Sequence, residues 1–303
     1  MAAARAAPYG AAMTSLIAGL IDVFADAPLR GNPLAVVEGA DALPDDVLRR
    51  IAGELNQAET TFVLASARAD RRLRSFTASG VEVFGAGHNA LGAWLWLAEH
   101  GRLGELAAPR TFHQELGDTI LPLTLEVRAG RIHGRMRQAA LRLGATVDPR
   151  GPIAPALALA ADDVLAEPAP RVASTGAGHL LVRVRDRGAV DRATPDAPAL
   201  LAVLAAAGAE GCYVYAFDPA APATAYARFF NPTVGLWEDA ATGTAAGPLC
   251  AYLGSHHLLA ADRVLAVEQG VRMGRQSWLR VRLVPEPELS GAGIVVLRGT
   301  LIL

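Results

Sequence analysis

The feature that most constrains this chain is a pair of similar segments, one in each half of the sequence. In the first, Arg74 opens a strand pattern that leads through a loop to Gly87 and then into an apolar helix. In the second, Arg228 opens a strand pattern that leads through a loop containing Gly235 to Gly243 and then into another apolar helix. The spacings from Arg to the helix-opening Gly are nearly equal. A repeat of this kind predicts two similar α/β halves, each setting a helix N-terminus at a glycine turn. Such termini present unpaired backbone N–H groups and a positive dipole end, so they bind carboxylates without a cationic side chain. Two of them facing each other would form an anion cradle between the halves. Either glycine motif taken singly reads as an ordinary helix start.

That route to anion binding matters because all 28 cationic side chains are Arg. Without Lys there is no Schiff base, which excludes pyridoxal-phosphate enzymes and lysine aldolases. The Walker A loop and the usual kinase strand lysine are excluded as well. Ala, Gly, Arg and Leu are also over-used, so the bias reads as a nucleotide-composition effect. The length of 303 residues favours two domains, and 52% hydrophobic with 19% charged residues is enough for sizeable cores. A net charge of −2 gives no footprint for nucleic acid. The run Arg71, Arg72, Arg74 reads as a solvated strand end.

Cys212 and Cys250 lie far apart with no C-x-x-C, which fits neither a zinc knuckle nor a disulfide framework. They read as buried structural thiols. Residues 1–13 are Ala-rich with a single Arg and no apolar h-region, unlike a signal peptide. A disordered tail over 1–12, or a start at Met13, accounts for them. No stretch reaches ~18 uninterrupted apolar residues, so no transmembrane helix is expected and the cytoplasm is the expected compartment.

Strand and helix patterns alternate along the chain. Strands are predicted at 16–24, 59–64, 73–77, 119–127 and 131–136, a turn-rich loop at 26–33, and helices at 44–55 and 88–100. The second helix ends at Gly101, a usual C-terminal stop. The Ala- and Pro-rich stretch 144–170 suits a helix plus connecting loops. Strands follow near 172 and over 180–184, 213–217, 225–230, 263–267, 279–283 and 294–303, with helices at 198–207 and 245–257.

Few residues stand out chemically. Glu59 sits at a loop-to-strand edge; a solvated charge is the ordinary reading, and a general acid/base with a pKa raised by partial burial the functional one. His88, at a helix N-terminus, should have its pKa lowered by the dipole and act as a neutral hydrogen-bonder, or else be a capping or surface residue. Asp239 could cap the second helix, hold a substrate amine or pass a proton. No metal site is expected: His256 and His257 point about 100° apart on a helix, and no H-x-x-x-H or H-E-x-x-H occurs. Gly-x-Gly-x-x-Gly and Gly-x-Ser-x-Gly are both absent, which argues against a dinucleotide cofactor and the common hydrolase elbow.

Taken in order, several short runs do more together than apart. They are Asp22-Val23-Phe24, Gly31-Asn32-Pro33-Leu34-Ala35-Val36, Glu59-Thr60-Thr61-Phe62-Val63, Gly87-His88, the segment 238–247, and Gln269-Gly270-Val271-Arg272-Met273-Gly274-Arg275. This series resembles the PhzF family of phenazine-biosynthesis isomerase-like proteins from about Leu20 to the C-terminus. The resemblance implies an α+β, diaminopimelate-epimerase-like fold of two similar lobes, each a curled, mostly antiparallel sheet around a central helix. The lobes would span 13–137 and 138–292, with a terminal strand at 293–303 returning to the first.

The resemblance also implies a cofactor-free homodimer acting on a small carboxylate in the inter-lobe cleft. The family's named activity moves a proton between ring carbons of trans-2,3-dihydro-3-hydroxyanthranilate, and the enol then tautomerises to an aminoketone. Glu59 matches the acid/base that shuttles the proton, and His88 and Asp239 match its partners. Gly87 and Gly243 match the N–H donors. Thr244 stands where the family usually has Ser and would keep a hydroxyl near the substrate carboxylate. The fold also hosts two-thiol epimerases, but Ala86 and Ala241 lie near the thiol positions and the two Cys do not. Ala58, Asn89 and Ala240 depart from the family pattern, which leaves the acid/base set intact and the substrate open. An epimerase or dehydratase-type lyase on the same cleft, or a non-catalytic ligand-binding homologue, are the alternatives.

Overall fold

The computed structural model describes residues 14–221, 224–234, 236–260 and 262–303. The expected N-terminal tail, the choice between Met1 and Met13, and Gly235 lie outside the described residues. The elements in chain order are β1 (Ser15–Val23), β2 (Asn32–Glu38), α1 (Asp45–Leu55), β3 (Glu59–Leu64), β4 (Arg71–Phe76), β5 (Glu82–Val83), α2 (His88–Glu99), β6 (Arg110–Leu116), β7 (Thr119–Arg128) and β8 (Arg131–Arg137). Then follow β9 (Arg142–Thr146), α3 (Ile153–Ala156), β10 (Arg171–Ser174), β11 (Gly178–Arg183), α4 (Arg187–Arg192), α5 (Ala197–Ala207), β12 (Gly211–Phe217), β13 (Ala225–Asn231), β14 (Leu236–Asp239), α6 (Gly243–Ser255), β15 (Leu265–Gln269), β16 (Ser277–Leu283) and β17 (Pro287–Ile302).

Strand pairing repeats along the chain. From β1 to β8, skipping the short β5, successive pairings run antiparallel, parallel, antiparallel, parallel, antiparallel, antiparallel. From β10 to β17, skipping the short β14, the same series recurs. The long β17 joins the two sets. Its first part pairs with both β16 and β8, and its second part with β1, which closes the first set into a ring of strands.

A helix enclosed by such a ring has no solvent face, and its sequence shows it. In α2 every residue from His88 to Leu97 is buried, against β1, β2, β3, β4, β7, β8 and β17. Its two indoles satisfy their N–H groups on Gln114 Oε1 and Glu38 Oε1, each at 2.9 Å, as buried Trp must. The α6 helix is buried nearly as fully, against β10, β11, β16 and β17. By contrast α1 is amphipathic. Asp45 and Asp46 sit at its positive end, Leu48, Ile51 and Ala52 face the core, and Asn56 ends it in the left-handed region at φ 50. Among the described residues no helix is long and apolar enough to cross a membrane.

The repeat is deeper than the sequence suggested. Arg74 and Arg228 do not open their strands; each is the fourth residue of β4 or β13. Each lies over the Phe two positions on, Phe76 or Phe230. Each also grips a Glu of the following short strand: Arg74 takes Glu82 at 2.7 and 2.8 Å, and Arg228 takes Glu238 at 2.9 and 2.8 Å. Arg74 therefore departs from the expected solvated strand end, since its guanidinium is locked between Glu82 and Asp45.

Other expectations shift too. The predicted loop at 26–33 overlaps β2, because Pro33 occupies the second strand position, where it forfeits little. The helix expected within 144–170 is only the single turn α3, with Pro152 just before it and Pro155 inside it.

Candidate active site

The local chain explains where each candidate side chain stands. Glu59 is the first residue of β3, at the mouth of the ring, and Asp239 is the last residue of β14, just before α6. The Arg228–Glu238 clamp fixes β14 one residue upstream of Asp239. Across the chain, Asn32 at the start of β2 donates from Nδ2 to Asp239 Oδ1 at 2.7 Å and to the Ala241 carbonyl at 3.0 Å. Thr242 Oγ1 donates to Asp239 Oδ2 at 2.6 Å. Gln269 Nε2 donates to the Asp239 carbonyl and to Thr242 Oγ1 at 2.8 and 3.0 Å, and Tyr213 OH orients that amide by donating to Gln269 Oε1 at 2.9 Å.

Electrostatics divide the two carboxyls. Glu59 as a whole is half-buried, but its Oε2 is sealed from solvent and meets no donor among the described residues. Burial, and the negative charge of Asp239 nearby, push its pKa up to about 8. Asp239 is also raised by burial, to about 6, yet hydrogen bonds from Thr242, Asn32 and the backbone of Ala240 and Ala241 hold it lower than Glu59. The two environments therefore favour the shared proton on Glu59 over Asp239. Replacing Asn32 by Ala removes a donor to the charged form, so the Asp239 pKa should rise further above its ordinary value. Carboxyl ¹³C chemical shifts followed from pH 4 to 9 check this.

His88, the first residue of α2, is buried, and its Nε2 meets no partner among the described residues. Its pKa falls to about 4, in the expected direction, but the cause is burial rather than the helix dipole. The imidazole is neutral at physiological pH.

The two helix starts lie side by side: a methyl group placed on Gly87 would sit 3.9 Å from the Thr244 Cγ2 methyl. The Gly87 amide differs from expectation, because it donates to Asn89 Oδ1 at 2.8 Å and is engaged within its own turn. Asn89 also binds Ser75 Oγ and the Gly85 carbonyl, which fixes the glycine loop. At the other helix, the first-turn amides of Gly243 and Thr244 lie outside the intrahelical ladder. The Gly243 carbonyl accepts from Gln138 Nε2 at 2.9 Å, and the glycine packs so closely on Leu289 that a Cβ would come within 2.4 Å.

A cavity of about 460 Å³ opens beside these helix starts. Thr244, Ala86, Gly85, Gln138, Thr175 and Arg137 are among its walls. Of the residues expected to carry the site, Thr244 lines it; Glu59, His88, Asp239, Gly87 and Gly243 do not. The two cysteines are buried in the cores, with Cys250 pushed up to about 12 and Cys212 also raised by burial, so both are inert thiols. Among the described residues no cluster of His, Cys, Asp or Glu could hold a metal ion.

Asn32, Thr242, Gln269 and Tyr213 were not assigned roles from sequence. Asn32, Thr242 and Gln269 do stand in the family-like runs, which is the signal that could have found them. Their partners are up to 209 positions away, so spacing gives no hint.

An apolar helix inside a ring of strands, a second buried helix starting beside it, and a pair of neighbouring carboxyls with raised pKa values make this the candidate site. The sequence matches the phenazine biosynthesis-like (PhzC-PhzF) family over residues 21–299. It is 32% identical to a trans-2,3-dihydro-3-hydroxyanthranilate isomerase of Pseudomonas fluorescens, over 94% of this chain and 98% of that one. A predicted epimerase of Pseudomonas aeruginosa superposes with a TM-score of 0.80 at 34% identity, covering 94% of this chain and 98% of the other. A PhzF-family protein of Bacillus anthracis superposes with a TM-score of 0.85 at 26% identity, over 96% and 99%. The chain belongs to the phenazine biosynthesis-like family, and its named relatives make it an isomerase.

Proposed function

We propose that this protein is a cofactor-independent isomerase that moves a proton between carbons of a small, cyclic amino carboxylic acid. The observation that carries this reading is the sealed Oε2 of Glu59, without a partner among the described residues and with its pKa near 8, beside an Asp239 whose charged form accepts hydrogen bonds from Asn32 and Thr242. A group with that pKa supplies both protonation states near neutral pH, which suits a proton shuttle.

In the proposed cycle the ionised form of Glu59 takes a proton from one ring carbon. The C–H bond breaks and its electron pair passes into the conjugated ring. The new Glu59 O–H then returns the proton to another carbon, so no net proton is gained or lost. Neutral His88 hydrogen-bonds the polar substituent, and Asp239 holds the amine. The substrate carboxylate rests at the paired helix starts, on Thr244 Oγ1 and the Gly243 and Thr244 amides. Two lobes, 13–137 with 293–303 and 138–292, flank this cleft, and the family resemblance adds a homodimer.

The test is turnover of trans-2,3-dihydro-3-hydroxyanthranilate in deuterium oxide. Deuterium at a ring carbon, with the double bond shifted, supports the reading. Epimerised starting material supports the epimerase alternative, which the likeness to the Pseudomonas aeruginosa protein favours. Loss of water points to a lyase, and binding without exchange to a non-catalytic homologue.

A further inference from the structure

The repeated strand pairing aligns the two halves residue by residue. In the first half Glu59 pairs with Leu34, and Phe62 with Arg74. In the second, Gly211 pairs with His179, and Val214 with Arg228. Since Arg74 and Arg228 are equivalent, Gly211 takes the place of Glu59 and His179 the place of Leu34. The second half thus has no carboxyl at the strand position equivalent to Glu59. Its Gly211 is bare because the Phe229 ring fills the space, within 2.4 Å of where a Cβ would be. What it has instead is an imidazole one strand over, on the same face of the sheet.

That imidazole is built in. His179 is only 3% exposed and edge-on to Phe229, with ring centroids 4.9 Å apart. Its Nε2 lies 3.1 Å from Thr244 Oγ1, and its Nδ1 is buried without a partner among the described residues. Two tautomers are available. If Nδ1 carried the proton, a buried N–H would have no acceptor, which is costly. If Nε2 carries it, only a lone pair goes unmatched, which costs less. Burial also lowers the His179 pKa to about 4, so the doubly protonated ring is absent at neutral pH.

We infer that His179 is a positioning residue. Its Nε2–H donates to Thr244 Oγ1, which commits the threonine hydroxyl proton to the cavity as a donor to the substrate carboxylate. This inference rests on the proposed carboxylate site at the helix starts. It makes the halves complementary: the first supplies the acid/base, and the second supplies an oriented hydroxyl.

Two measurements on the full chain test it. Long-range ¹H–¹⁵N correlation at pH 7, with the His179 ring assigned from His179→Gln, should show Nε2 protonated and Nδ1 bare, and Thr244→Val should shift the Nε2 signal. A protonated Nδ1 overturns the inference whatever the enzyme's substrate. The second is binding of anthranilate, a cyclic amino carboxylate. His179→Phe should weaken it by about tenfold, while His179→Gln, which keeps an N–H donor, should retain most of it. His179→Phe should cost nothing further in a Thr244→Ala background. Additive losses would overturn a role exercised through Thr244. Failure of the wild-type protein to bind anthranilate would count against the carboxylate site itself and leave the ring tautomer to decide the role of His179.

Discussion

Replacing Glu59 by Gln should lower turnover of the substrate proposed above by ~10²–10⁴-fold, the range expected when a positioned acid/base is lost. The amide matches the carboxyl in size and can still donate a hydrogen bond, but it cannot take a proton from carbon and return it. Substrate binding should therefore change little, and the loss should fall on kcat rather than KM. Deuterium exchange into the substrate should vanish together with turnover. Steady-state kinetics with isotope analysis of the product give both readouts, and wild-type turnover in the variant would refute the assigned role.

Cutting the clamp beneath Asp239 should have the largest effect on stability. Arg228 and Glu238 are both buried, and the guanidinium also donates to the carbonyls of Val190, Asp191 and Ala193 at 3.3, 3.2 and 2.7 Å. Glu238→Ala leaves that cation buried without its counter-charge, and breaking such a pair costs about 3–5 kcal/mol. The equivalent change Glu82→Ala should cost less, because Arg74 keeps Asp45 as a second partner. Urea denaturation midpoints of the two variants compare them directly. Replacing Arg228 and Glu238 together by Met and Leu should recover much of the loss, since no lone charge then remains.

The particular residues show how far sequence reading reaches. The two buried helices were legible because their apolar residues run around the whole helix surface and a glycine opens each. The strand β6 was missed, since Arg110, Thr111, His113, Gln114 and Glu115 spread polarity over both faces. Glu59, His88 and Asp239 are singled out by resemblance alone, and Glu59 and Asp239 are near enough for the charge on one to shift the other. Their polar supports were not found. Asn32, Gln269 and His179 act through contacts made only once distant strands close, and single amides or imidazoles carry no periodic signature. The Gly87 amide was misread for a local reason: Asn89, two residues on, reaches back to occupy it.

The raised Glu59 pKa also ties the site to stability. Folding moves this group from 4.5 to about 8. Its contribution is therefore fully present below pH 4.5 and lost as pH rises through about 8. Glu59→Gln lacks this dependence, so the variant should gain on the wild-type protein by about 1.4 kcal/mol per pH unit across that window. Denaturation midpoints measured at pH 5 and pH 9 report the difference.

The protonation of Glu59 itself is the most direct test. With glutamate labelled at the carboxyl carbon, and the Glu59 signal identified by its absence from the Gln variant, a ¹³C titration from pH 3 to 10 follows this one group. A protonated carboxyl at pH 7 that titrates near pH 8 is the predicted result. A carboxylate already ionised at pH 7, titrating near the ordinary 4.5, would contradict the account.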